Sequence, residues 1–111
     1  MVADDATIAR WRAMATQFPV SELPRFSLGM ALQAAGRSAD AAAVFDEAAA
    51  LRPDMMMAWL HAAQCLTAGG RWVDARSRTV EALRLAEAQG HRGPFADATA
   101  LLAEIDDELG A

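Results

Sequence analysis

Apolar and polar positions along this chain keep a helical rhythm from end to end. Runs of about 13 to 18 residues are separated by FP (18–19), GRS (36–38), RPD (52–54), GGR (69–71) and QGHRGP (89–94). Within each run apolar residues recur every three or four positions, and none shows the strict alternation of a half-buried strand. The pattern predicts an all-α protein of six antiparallel helices, over 4–18, 22–35, 38–51, 55–68, 71–89 and 94–109. Asp4, Ser21, Ser38 and Asp54 stand where N-caps belong, each offering a side-chain oxygen to unpaired backbone N–H groups. Pro94 suits a first helical turn.

The rhythm also repeats on a longer scale. Pro19 and Pro53 lie 34 residues apart, as do Trp11 and Phe45, Gly36 and Gly70, Asp40 and Asp74, Ala41 and Ala75, Ala48 and Ala82, and Leu51 and Leu85. Each pair shares a role: helix stop, packed aromatic, turn glycine or small residue at a close crossing. With these residues the chain resembles the tetratricopeptide repeat family, whose pattern runs W-x2-L-G-x2-Y, then A-x3-F, then P. Residues 22–53 fit it through Arg25, Leu28, Gly29, Leu32, Ala41, Phe45, Ala48 and Pro53. Residues 56–87 fit through Trp59, Leu66, Ala75 and Ala82, with Ala62–Ala63 in place of leucine–glycine, Thr79 for the aromatic and Glu87 for the proline. Without that proline the fifth helix is expected to run on to about Gln89. The first helix reads as the second half of a repeat through Trp11, Met14 and Pro19, and the last as a first half, with Phe95, Ala98, Leu102, Ile105 and Leu109 in a heptad-like stripe.

The resemblance implies a right-handed helical solenoid in one domain, 1–111, with repeats at 22–55 and 56–89 and a capping helix at 94–109. A lone helix pair cannot bury both of its apolar faces, so such units stack in about three copies. The second-half, first-half order running three times meets that need. Gly29 is expected at a close helix crossing, where a leucine would overpack at a cost of about 1–3 kcal/mol.

In that family the first helix of each repeat lines a concave surface where peptides bind, so the resemblance implies a protein-binding groove formed by Leu23, Phe26, Met30, Gln33 and Ala34, by Met57, Leu60, Gln64, Thr67 and Ala68, and by Ala96, Ala100 and Ala103 of the last helix. Relatives that clamp acidic tails place lysine and asparagine there; this chain has apolar residues and glutamine at those places and no lysine anywhere. The expected ligand is therefore a protein or peptide with an apolar or amphipathic segment. Five large apolar side chains left bare would also form a large patch for a monomer. Three outcomes stand open: recognition through the groove, burial in a homodimer, or cover by the C-terminal helix. A self-associating structural subunit is the alternative reading, with Arg10 and Arg12 near one end of the stack and the acids of 104–108 near the other.

Composition narrows the classes further. The formal net charge of −5 and the absence of a basic cluster argue against nucleic acid. No apolar run is long enough to predict membrane insertion, and the acidic start does not read as a secretory signal. One cysteine, Cys65, makes no internal disulfide, which points to a reducing cytoplasm.

Candidate chemistry centres on RPDMMMAWL (52–60). Met57, His61 and Cys65 follow at i, i+4 and i+8, and all three side chains are ligands for soft metals. Successive i+4 steps drift about 40° round a helix, which carries the third off the face of the first. No metal or cofactor is expected. His91 reads as a solvated loop residue, Trp59 and Trp72 as core, and no nucleophile–base–acid set or phosphate-binding glycine loop occurs, so the chain is expected not to be an enzyme.

Overall fold

The computed structural model of the chain describes residues 4–110. It contains six α-helices in that span: α1 (Asp5–Gln17), α2 (Glu22–Ala34), α3 (Ser38–Leu51), α4 (Met56–Ala68), α5 (Trp72–Gln89) and α6 (Arg92–Glu108). Each packs against the next, α4 also touches α6, and the stack measures 42 × 27 × 23 Å. No strand occurs among the described residues, so the protein is an all-α solenoid of antiparallel helices.

The turns follow from local chemistry. Gly36 and Gly70 have φ of 76° and 71°, left-handed values that a side chain disfavours. Beyond them the Arg37 and Arg71 amides each donate 2.9 Å back, to the carbonyls of Leu32 and Leu66, closing the orphan ends of α2 and α4. Arg37 and Arg71 then stand at the N-caps of α3 and α5 and pair with Asp40 and Asp74, at 2.8 and 2.6 Å. Those aspartates lie in the first turn, where the helix dipole favours negative charge.

Three of the four expected side-chain caps are corrected. Only Asp4 caps, accepting the Thr7 amide at 2.8 Å. Ser21 holds its N-cap without a side-chain bond, Ser38 is already helical, and Met55 rather than Asp54 caps α4. Asp54 instead accepts from Arg52 at 3.3 Å, within an Arg52–Pro53–Asp54 turn. The α6 helix starts two residues before Pro94, because Pro94 lies in a first turn whose amides need no partner.

The core runs the length of the stack. Phe45 and Leu32 are fully buried where α2 crosses α3, and a Cβ on Gly29 would lie 2.6 Å from the Phe45 ring. At the corresponding crossing of α4 and α5, Ala63 and Thr79 are fully buried, and the Thr79 hydroxyl donates to the Ala75 carbonyl at 2.7 Å. Helix α5 does run on to Gln89, two residues past Glu87, which replaces the helix-stopping proline. The heptad stripe expected on α6 is corrected: Ala98 and Ile105 are fully buried, while Phe95 and Leu109 are 38% and 40% exposed. Its core face steps by three and four residues through Ala98, Leu101 and Ile105, as packing on a globular neighbour requires.

Charged pairs stitch the outside. Arg78 grips Asp46 with two hydrogen bonds of 3.1 and 2.9 Å, tying α5 to α3. Arg76 reaches Asp106 at 2.8 Å, so one acid of the 104–108 group is already engaged. Each such half-exposed pair contributes up to about 1 kcal/mol.

Candidate functional site

Helices α2, α4 and α6 alternate with α1, α3 and α5 and share one direction, so their outward rows lie side by side. On α2 the row is Leu23, Ser27, Met30 and Ala34; on α4, exactly one repeat later, it is Met57, His61, Gln64 and Ala68. The corresponding α6 row is Gly93, Asp97, Ala100 and Glu104. Steps of four, three and four residues keep each row on one helix face, and none of the twelve is buried. Leu23, in the first turn of α2, is 60% exposed and Met30, farther along it, 40%, large values for apolar side chains on a helix.

The expected lining divides into two sets. Leu23, Met30, Met57 and Gln64, with Ala34, Ala68 and Ala100, occupy the rows just described. Leu60 does not: it is 2% exposed and packs with Ala82, Leu85 and Ala98, so it is core and cannot touch a ligand. Phe26, its equivalent 34 residues earlier, is half-buried and sits edge-on to Phe45 and His61, with ring centroids 5.5 and 5.7 Å apart. The physical reason is angular. Phe26 and Leu60 precede Ser27 and His61 by one residue, about 100° of helix rotation, which turns them toward the neighbouring helices. Gln33, Thr67, Ala96 and Ala103 share that rotated position.

Ser27 and His61 therefore belong to the face and were missing from the expected set. Their signal was in the sequence, since each lies four residues after an expected face residue and three before another. His61 stacks on Phe45 at 5.3 Å, and its Nδ1 lies 2.9 Å from Gln33 Oε1. An amide oxygen only accepts, so Nδ1 carries the proton and donates. Burial between the rings holds the His61 pKa below its ordinary value. Gln33 is thereby committed to His61, and the Thr67 hydroxyl donates to the Ala63 carbonyl at 2.8 Å. Among the described residues Gln64 makes no such internal bond, which leaves its amide the polar group of the α4 row.

The methionines separate in the same way. Met55 caps α4, Met56 is 6% exposed in the core, and Met57 joins the α4 row half-buried. At the foot of the face Phe26, Arg52, Asp54, the three methionines, Gln89 and His91 enclose a cleft of about 260 Å³. A second cleft of about 230 Å³ adjoins it through His91, with Ala86, Arg92 and Phe95 among its walls. The Trp59 indole N–H donates to the Pro53 carbonyl and the Gln89 amide to the Asp54 carbonyl, both at 2.9 Å, and hold the turn that forms the cleft's rim. That second bond depends on the extra length of α5.

Met57, His61 and Cys65 do not converge. Cys65 is 2% exposed in the core cluster of Ile8, Leu32 and Phe45, whereas Met57 packs toward Leu60 and Leu85. Burial pushes the Cys65 thiol up to about 11, so it is neutral near pH 7, a poor nucleophile and a poor metal ligand. On α2 and α4 the face offers alkyl, thioether and aromatic surface with the free Gln64 amide, and on α6 the exposed carboxylates of Asp97 and Glu104, a chemistry of contact rather than of bond-making.

Comparison with known proteins agrees with the fold. A tetratricopeptide repeat family model matches residues 32–82. The type III secretion translocator chaperone SycD of Yersinia enterocolitica superposes with a TM-score of 0.86, at 19% identity over 94% of this chain and 72% of that one. PcrH, solved in complex with the chaperone binding region of PopD, gives a TM-score of 0.87 at 24% identity, over 93% of this chain and 78% of that one. A comparison with curated protein sequences finds no significant match. No helix among the described residues is long and apolar enough to cross a membrane. Residues 32–82 thus match a tetratricopeptide repeat, and the six helices share the fold of these two chaperones.

Proposed function

We propose that the protein is a non-enzymatic interaction module that receives an apolar or amphipathic segment of a partner protein on the face formed by α2, α4 and α6. The observation that carries this reading is the exposure of Leu23 and Met30, at 60% and 40%, in register with Met57 and above the methionine-lined cleft. Removing such side chains from water yields about 1.5–3 kcal/mol each before the cost of association. PcrH, a protein of the same fold, is seen with a segment of its partner, which lends the reading support from outside this chain. A single buried thiol is consistent with a reducing cytoplasm as the site of action.

The test replaces Leu23 and Met30 together with serine. Far-UV circular dichroism and Tm should stay close to wild type, because both side chains already face solvent, while the partner recovered by affinity purification from native cells should be lost. An unchanged set of recovered proteins would refute the face as the site. A Leu60 substitution serves only as a folding control.

Self-association is the second reading. In the middle of the stack Gly29 and Leu32 are covered by α3; at the equivalent α6 places Thr99 is exposed and Leu102 half-buried, with Phe95 and Leu109 open beside them. A face of that kind accepts another helix, and α1 of a second copy offers Trp11 and Met14, both half-buried. Light scattering decides it: one mass from micromolar to millimolar protein removes this reading, and growth of mass with concentration supports it.

A further inference from the structure

The binding face is not uniform from one side to the other, and the variation points to a property of its occupant. The α2 row carries Leu23 and Met30 and no charge. The α4 row carries Met57 with His61 and Gln64, again with no formal charge at neutral pH. The α6 row carries Asp97 and Glu104, both exposed and seven residues apart, with Asp107 and Glu108 one turn beyond. None of these four carboxylates forms an ion pair with a described residue, although Arg76 neutralises Asp106 on the outer side of the same helix.

Backbone electrostatics add to the gradient. Helices α2, α4 and α6 point the same way, so their C-terminal ends, each bearing partial negative charge, lie together along one edge of the face. None of the three has a basic residue in its last turn to offset it. The cations just beyond α2 and α4, Arg37 and Arg71, are held by Asp40 and Asp74, and Arg76, beside the last turn of α6, by Asp106. Positive groups stand instead at the opposite edge, where Arg52 borders the methionine cleft and Arg92, with Glu87, the cleft beside it, and Arg52 is itself shared by Glu22 and Asp54. The face thus passes from apolar on α2 to acidic on α6.

We infer that the segment received by this face is basic as well as apolar, with aliphatic side chains against Leu23, Met30 and Met57 and lysine or arginine side chains against Asp97 and Glu104. This rests on the groove reading above and sharpens it. Neighbouring packed helices stand about 8–10 Å apart, so crossing from α2 to α6 covers roughly 20 Å. That distance is about six residues of extended chain. An acidic segment would meet unpaired carboxylates at the α6 side and is disfavoured there.

The experiment uses three fluorescein-labelled twelve-residue peptides, read by fluorescence polarization at low salt. All share one half rich in leucine and alanine; the other half carries three lysines, three glutamines or three glutamates. The lysine peptide should bind about fivefold more tightly than the glutamine peptide, from two exposed charge pairs, and the glutamate peptide should bind most weakly. Asp97→Asn with Glu104→Gln should erase the lysine advantage, and raising the salt should shrink it in the wild type. Leu23→Ser with Met30→Ser should weaken the lysine and glutamine peptides alike. If glutamine and lysine peptides bind the wild type equally, or if the advantage survives in the Asn/Gln variant, the charge inference is overturned while the groove reading stands. If the Leu23/Met30 variant binds the lysine and glutamine peptides as the wild type does, the groove reading falls and the inference with it.

Discussion

Where α2 crosses α3, Gly29 lies against the ring of Phe45; where α4 crosses α5, 34 residues later, Ala63 and Thr79 hold the same two places. All of these residues are buried, and Phe45, Ala63 and Thr79 are fully so. The first crossing sets the smallest residue against a large ring, and the second divides the volume more evenly between a methyl group and a short branched side chain. Close packing constrains the sum of facing volumes more tightly than either member. The threonine brings a hydroxyl into the core, and the Ala75 carbonyl one helical turn back accepts its proton at 2.7 Å. The second pair therefore keeps the repeat's geometry while departing from its consensus residues.

The largest expected effect breaks the first crossing. A Cβ at position 29 would already stand 2.6 Å from a ring that has no room to retreat, since Phe45 is fully buried. Gly29→Leu should destabilise the protein by about 3 kcal/mol, a fall in Tm of roughly 15 °C for a domain of this size. Thermal denaturation followed by circular dichroism measures it. A loss below about 1 kcal/mol would mean that the crossing can open, and the volume argument would fail.

The next effect sharpens the comparison by trying to convert one crossing into the other. Thr79→Phe alone should cost about 1–3 kcal/mol, because Ala63 occupies the space that glycine leaves free in the first pair. Adding Ala63→Gly should recover about 1 kcal/mol of that loss, despite the lower helix propensity of glycine. The double-mutant cycle in denaturant isolates the coupling, and strictly additive effects would show that positions 63 and 79 do not share one space.

These contrasts also show which features could be read from residue order. The six helices, the 34-residue register and the extension of α5 were legible, because periodicity and turn glycines report directly on backbone path. Cap assignments failed at Ser38 and Asp54, where capping residue types lie one position away from the actual caps, Arg37 and Met55. The same one-residue sensitivity divided the expected face. Leu23 and Met30 are outward, but Leu60, one residue and about 100° of rotation before His61, is core. Hydrophobicity could not separate them, because an apolar side chain suits both a buried contact and a binding face. Helix angle could: steps of four, three and four from Leu23 and from Met57 pass through Ser27 and His61 and bypass Phe26 and Leu60.

That last pair yields the smallest and most selective prediction. Ser27 and His61 occupy the same place in successive repeats, yet only His61 titrates near neutrality. Burial lowers its folded pKa below the ordinary 6.5, so folding favours the neutral ring. The stabilisation from holding a neutral imidazole between Phe26 and Phe45 is fully present above about pH 6.5. It is lost as pH falls through that value toward the lower folded pKa, because the unfolded chain binds the proton first. His61→Gln removes the titration, so the stability difference between wild type and variant, from urea denaturation at steps between pH 8 and 4.5, should shift against the wild type across that window. A difference that stays flat would mean that His61 is as well solvated in the folded chain as in the unfolded one. The second repeat would then differ from the first in packing volume alone.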